Sequence, residues 1–172
     1  MPGGRRNNWS HRRVHGVEKQ PSSRYCFLCG RQNPVGLKIT WYTDRANGQV
    51  RATVTVPEHF NGYPGVVHGG IVAAILDETA GRAVLLGGDV DDSLMVTMKL
   101  EVKYRRPTPT GVPLEAVGWL IRRDERRAQA AAELRLPDGT VCAEAEVLLA
   151  RPREEFMRSW EPERPYWRVY ED

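Results

Sequence analysis

The chain has 172 residues, 41% hydrophobic and 27% charged, which suits one domain of ordinary size with a real core and excludes a wholly disordered protein. No stretch approaches the roughly 18 uninterrupted apolar residues of a membrane span, so no membrane partner is expected. The formal net charge of +3 divides unevenly: residues 1–24 hold six Arg and Lys against one acid, leaving 19 bases and 21 acids for the rest, a body without the basic surplus that nucleic-acid binding requires.

The basic residues of the leader are Arg5, Arg6, Arg12, Arg13, Lys19 and Arg24. It lacks the apolar region of a secretory signal, and Pro2, Gly3, Gly4 and Gly16 oppose an amphipathic targeting helix. Residues 1–24 are therefore expected to be a flexible basic leader, 25–150 the folded domain and 151–172 a tail that folds a short helix back on it. Three cysteines give no disulfide framework and suggest the reducing cytoplasm.

Six stretches read as strands. Leu37–Thr43 and Gln49–Val56 flank Asp44-Arg45-Ala46-Asn47-Gly48, whose Asn-Gly is a hairpin signal. Next comes a helical stretch, about Gly69 to Leu86, apolar on nearly all sides and so expected to be buried. Met95–Tyr104 alternates, with Val96, Met98, Leu100, Val102 and Tyr104 on one face and Thr97, Lys99, Glu101 and Lys103 on the other. Leu114–Arg122, Ala128–Leu136 and Val141–Ala150 complete the set, the last two joined by the turn Pro137-Asp138-Gly139-Thr140. One buried helix among about six antiparallel strands implies an α+β fold with a sheet wrapped around the helix.

The chemistry concentrates in residues 60–83. His68-Gly69-Gly70 opens the helix, where free amides and the positive end of the dipole suit an oxyanion or polarised carbonyl. Asp77 and Glu78 follow in an otherwise apolar helix, where a carboxylate is costly unless paired or working. Glu78 reads as a solvated or salt-bridged residue. Asp77 reads either as a working group or as one tied to a backbone group or to Arg82. From His68 to Asp77 the helix rises about 13.5 Å and turns a net half-turn, so the two cannot serve one small reacting group within a single chain. If both are catalytic, one subunit's helix start must meet another's Asp77, and a two-fold dimer supplies two such sites.

The segment VVHGGIVAAILDETAG resembles the central helix of the hotdog-fold thioesterases, in particular the group of the phenylacetate-pathway thioesterase and thioesterase superfamily member 2. The resemblance spans about Cys26 to Ala150. It implies a hotdog fold and an acyl-CoA thioesterase working as a homodimer or a dimer of dimers. The Gly69 amide would polarise the thioester carbonyl, His68 would shape that corner, and Asp77 of the partner chain would be general base or nucleophile. Thr97, ten residues before Pro107, would hold the water. Asn61 and Gly70 would contact substrate, although Asn61 stands one residue farther from His68 than in the family pattern.

No metal or cofactor is expected, since an electrophilic thioester needs only polarisation and an activated water. Coenzyme A enters as part of the substrate, and Lys103, Arg105 and Arg106, or Arg122, Arg123, Arg126 and Arg127, are candidate grips for its phosphates. Cys26-x-x-Cys29 lacks the second Cys pair or spaced His of a zinc site and reads as small buried residues. An enoyl-CoA hydratase or dehydratase on the same fold would need an Asp about five residues before a His, which is not found. A non-catalytic acyl- or CoA-binding protein of this fold would bind ligand without releasing thiol.

Overall fold

In the computed structural model, described for residues 16–87 and 94–171, a seven-stranded antiparallel sheet curves around one long helix. The elements in chain order are β1 (Val17–Lys19), β2 (Tyr42–Asp44), β3 (Gln49–Thr55), β4 (Asn61–Tyr63), β5 (Val66–Val67), α1 (Gly69–Arg82), β6 (Val96–Tyr104), β7 (Pro113–Arg123), β8 (Arg127–Arg135), β9 (Val141–Ala150) and α2 (Glu154–Ser159). The large sheet runs β1-β2-β3-β7-β8-β9-β6, and β4 and β5 form a small separate ribbon before the helix. The α+β class holds, with one more strand in the sheet than expected.

The helix packs mainly across β7, β8 and β9, with β3 and β6 at the margins. Gly118 on β7 sets how closely it approaches, because a Cβ there would lie 2.6 Å from the Thr79 carbonyl oxygen. Beside that contact Trp41, fully buried, donates its Nε1–H to Thr79 Oγ1 at 3.1 Å. Val72, Ile75, Leu76, Ala80, Ala83 and Val84 are buried with strand residues such as Val50, Leu114, Leu134, Val147 and Leu149. The α-helix ends at Arg82 and continues as a 3₁₀ turn over Ala83–Gly87.

Three sequence expectations need correction. The strand placed over Leu37–Thr43 is a ladder only from Tyr42. Lys38 takes a left-handed φ of 53°, which breaks an extended run, and the amides of Leu37 and Ile39 turn to the carbonyls of Phe27 and Leu28 instead. The leader described as flexible to residue 24 pairs with β2 through Val17–Lys19, while residues 1–15 lie outside the described residues. Hydrophobicity gave no hint of this because the segment is held by polar contacts. Arg82, 4% exposed at its side chain, donates to the Pro21 carbonyl at 2.8 Å, and Gln20 donates to Thr43 Oγ1 at 3.1 Å. Third, the helix is not buried all round within one chain. Gly70 is exposed, and Ala74, Asp77 and Gly81 on the same stripe are only half-buried.

The tail returns to the same region. Ser22 and Arg168 exchange backbone hydrogen bonds, the Arg24 guanidinium lies 4.0 Å from the centre of the Tyr166 ring, and Trp167 packs on the core. Among the described residues no helix is long and apolar enough to cross a membrane.

Candidate functional site

The helix start is built by His68. Its Nδ1 accepts the Gly70 amide at 2.9 Å, capping the helix as an Asn or Ser side chain would. An accepting Nδ1 leaves the ring proton of the neutral imidazole on Nε2. Ile71 and Val72 donate to the His68 carbonyl, whereas the amide of Gly69, first in the helix, has no helical acceptor to serve. Gly69 is thus the donor left over, and the Gly70 amide, named from the sequence for substrate, is used by the cap.

In the sequence Tyr104 carries no signal beyond its place in the alternation of its strand. Its hydroxyl donates to the Gly69 carbonyl at 2.7 Å, and a Cβ on Gly69 would sit 3.5 Å from that hydroxyl oxygen. Tyr104 and the helix start face a groove of about 650 Å³ that Arg105, Arg106 and Thr108 also line. Arg105 is ion-paired to Glu144 at 2.6 Å. Asn61 is exposed on β4 opposite Val67, and its neighbours Gly62 and Tyr63 line the groove in its place. Lys103 is exposed on β6 and is not part of the lining.

The second cluster lies farther along the helix. Thr97 Oγ1 donates to Asp77 Oδ1 at 2.8 Å. The simple alternation of β6 placed Thr97 on the face away from the helix, and a bulge overturns this. The register shifts between Thr97 and Lys99, so Thr97 pairs with Leu149 and Leu100 with Val147. Directly paired residues share a face, and Leu149 and Val147 are both core residues. The bulged residue, Met98, is turned out and 66% exposed. Bulges re-aim side chains in this way.

Burial holds the Asp77 carboxyl above the usual carboxylate range, the Thr97 hydrogen bond opposes that shift, and the neighbouring Glu78 adds to it. Arg82 does not pair with Asp77; its Nε donates to Glu78 Oε1 at 2.8 Å. None of Arg122, Arg123, Arg126 and Arg127 lines this groove, and Arg123 donates to the Val84 carbonyl at 2.9 Å, a cation at the carbonyl end of the helix. Within one chain the groove and the Asp77–Thr97 pair remain apart. The eight residues from Gly69 to Asp77 rise about 12 Å along the helix.

A family model described as "Thioesterase superfamily" matches residues 64–143, the stretch that contains both clusters. A putative esterase of Saccharolobus solfataricus is 33% identical over 97 residues, covering 55% of this chain and 67% of that protein. The chain belongs to the thioesterase superfamily. An acyl-coenzyme A thioesterase of Rattus norvegicus is 28% identical over 92 residues, 54% of this chain, and the match spans only 38% of that longer protein. A crystal structure of a thioesterase superfamily protein superposes with a TM-score of 0.67 at 34% identity, covering 74% of this chain and 61% of the other. The sheet wrapped on one helix is the hotdog fold that the resemblance implied.

Proposed function

We propose that this protein hydrolyses acyl-coenzyme A thioesters to a carboxylic acid and free coenzyme A, at a centre completed by two copies of the chain. The observation that carries the reading is the antiparallel course of α1 and β6. At one end Gly69 meets Tyr104, and at the other Asp77 meets Thr97. The strand β6 is an edge of the sheet, with unpaired backbone groups that suit pairing with another strand. A two-fold copy laid antiparallel along β6 brings one chain's Asp77–Thr97 pair toward the other's Gly69 corner, and it covers the half-buried stripe of Ala74, Asp77 and Gly81. The relative from Rattus norvegicus, an acyl-coenzyme A thioesterase by name, supports the choice of substrate.

The residues divide the work by their hydrogen-bonding capacity. A hydroxyl has one proton and two lone pairs; Thr97 gives its proton to Asp77, so it receives a water as an acceptor. That water directs one O–H at Thr97 Oγ1 and the other at the free carboxylate oxygen of Asp77, leaving its lone pair for the carbonyl carbon. Asp77 takes the proton as the C–O bond forms. The carbonyl oxygen becomes an oxyanion on the Gly69 amide, with His68 Nε2–H beside it. Collapse breaks the C–S bond, and the proton held by Asp77 goes to the departing sulfur. Arg105 and Arg106 place positive charge along the groove for the coenzyme A phosphates, with Lys103 farther out. The reaction is assigned to the cytoplasm, whose reducing conditions keep thiols free, the form of Cys26, Cys29 and Cys142.

The test is thiol release over a panel of acyl-CoA substrates, with the Asp77→Asn variant alongside. The substitution keeps size and one acceptor while removing the base, so turnover on the best substrate should fall by about 10²–10⁴-fold. Equal turnover in the variant would remove Asp77 from the mechanism. Saturable binding with no thiol release by the parent protein would make this a binding protein instead.

A further inference from the structure

Asp77 has a neighbour with its own cluster. Among the described residues, the sulfurs of Cys26 and Cys29 and a carboxylate oxygen of Glu78 lie within 4.8 Å of one another. The loop carrying the cysteines is tightly specified. The Gly30 amide closes it on the Cys26 carbonyl at 2.8 Å, and a Cβ at Gly30 would lie 2.4 Å from that oxygen, so only glycine fits.

Backbone donors point at both sulfurs. The amides of Leu28 and Cys29 reach Cys26 Sγ at 3.3 and 3.5 Å, and the Ser23 amide reaches Cys29 Sγ at 3.4 Å. A neutral thiol is a weak acceptor, whereas hydrogen bonds to sulfur are a usual feature of metal–thiolate sites. Glu78 has one oxygen engaged by Arg82 and a second for another partner.

We propose that Cys26, Cys29 and Glu78 bind a zinc-type divalent cation that fastens the loop of residues 23–30 to α1, one residue beyond Asp77. Two sulfurs with one carboxylate oxygen suit Zn²⁺ and not the all-oxygen shells of Mg²⁺ or Ca²⁺. On binding, each thiol releases a proton to solvent, two metal–sulfur bonds and one metal–oxygen bond form, and water fills the fourth position. The exchange of two protons for one dication leaves the charge of the cluster unchanged, and Arg82 separately balances Glu78. With Zn–S near 2.3 Å and Zn–O about 2.0–2.2 Å, tetrahedral ligand atoms stand about 3.5–3.8 Å apart, so from within 4.8 Å of one another they close by about 1.3 Å at most. The sequence hid this site because its third ligand is a helix carboxylate, not a His or Cys at finger spacing.

The experiment uses the full chain, purified under reducing conditions, stripped with a chelator and titrated with Co²⁺ and Zn²⁺. One Co²⁺ per chain with a thiolate-to-cobalt charge-transfer band, displaced by Zn²⁺, is expected. Zn²⁺ should also raise Tm over the stripped protein. Cys26→Ser and Cys29→Ser should each abolish the band. Glu78→Gln retains both sulfurs, and with a ligand gone it should weaken Co²⁺ binding by about tenfold or more, a loss that even groups outside the coordination shell can cause. A stripped chain that gives no band overturns the site. So does Glu78→Gln binding as tightly as the parent, or a Cys26–Cys29 disulfide in the isolated, metal-free protein. These readouts stand apart from thiol release and hold whether or not the chain is a thioesterase.

Discussion

Gly69 occupies the first helical position, the one place where proline removes an amide without breaking a helix. The residue before it is ready for the change, since His68 has ψ 133°, the extended geometry that a following proline demands. A Cβ at Gly69 meets Tyr104 at an ordinary contact distance of 3.5 Å. Gly69→Pro therefore tests the oxyanion donor with the fold retained. One such donor contributes about 2.7–4 kcal/mol, so kcat in the thiol-release assay should fall by about 10²–10³-fold. Tm should change little, and unchanged kcat would mean that the amide polarises nothing. Thr97 yields to a similar argument. A hydrogen bond to a charged group contributes about 1.5–3 kcal/mol, and Thr97→Val should slow turnover by about tenfold or more while leaving Tyr104 and the groove in place. A variant as fast as the parent would take Thr97 out of the water site.

At the scale of elements, the helix and most strands were legible because their signals are local. His68-Gly69-Gly70 marks the helix start, Asn47-Gly48 the first hairpin, and alternation the strand β3, where Val50, Ala52 and Val54 are buried. What the sequence hid depends on neighbours. The bulge at Met98 is a register relation with β9 and reverses the face of Thr97. The left-handed Lys38 is set by the Phe27–Leu28 segment it bonds beside. The pairing of β1 relies on Arg82 and Gln20, polar anchors with no periodicity. Gly118 is another relation invisible in one dimension, and it yields a test. Gly118→Ala would press a methyl group against the Thr79 carbonyl, which is helix backbone and cannot rotate aside. Overpacking of this kind costs about 1–3 kcal/mol, and each kcal/mol lowers Tm by about 2–4 °C in a chain this size. Thermal unfolding followed by circular dichroism checks it. An unchanged Tm would show that α1 is not seated on β7 at the depth described.

At the scale of the whole molecule, the proposed centre divides between two copies, because a helix cannot bring its first turn and its third to the same point. This makes subunit mixing a sharper test than any single variant. Asp77→Asn spoils the base and Gly69→Pro spoils the donor, so each homodimer carries two defective centres. In a mixed dimer with shared centres, one centre receives both substitutions and the other receives neither. Random exchange makes half the dimers mixed, each with one intact centre of two, so about a quarter of the parent activity should return. If each chain worked alone, every centre in the mixture would keep its own lesion and no activity would return. The measurement is thiol release after the two inactive variants are co-refolded or co-expressed with different tags, with the doubly tagged fraction isolated. Recovery confined to that fraction assigns the reaction to the seam between two copies of β6. Its absence, with mixed dimers demonstrably formed, would return the chemistry to a single chain and remove the two-copy centre.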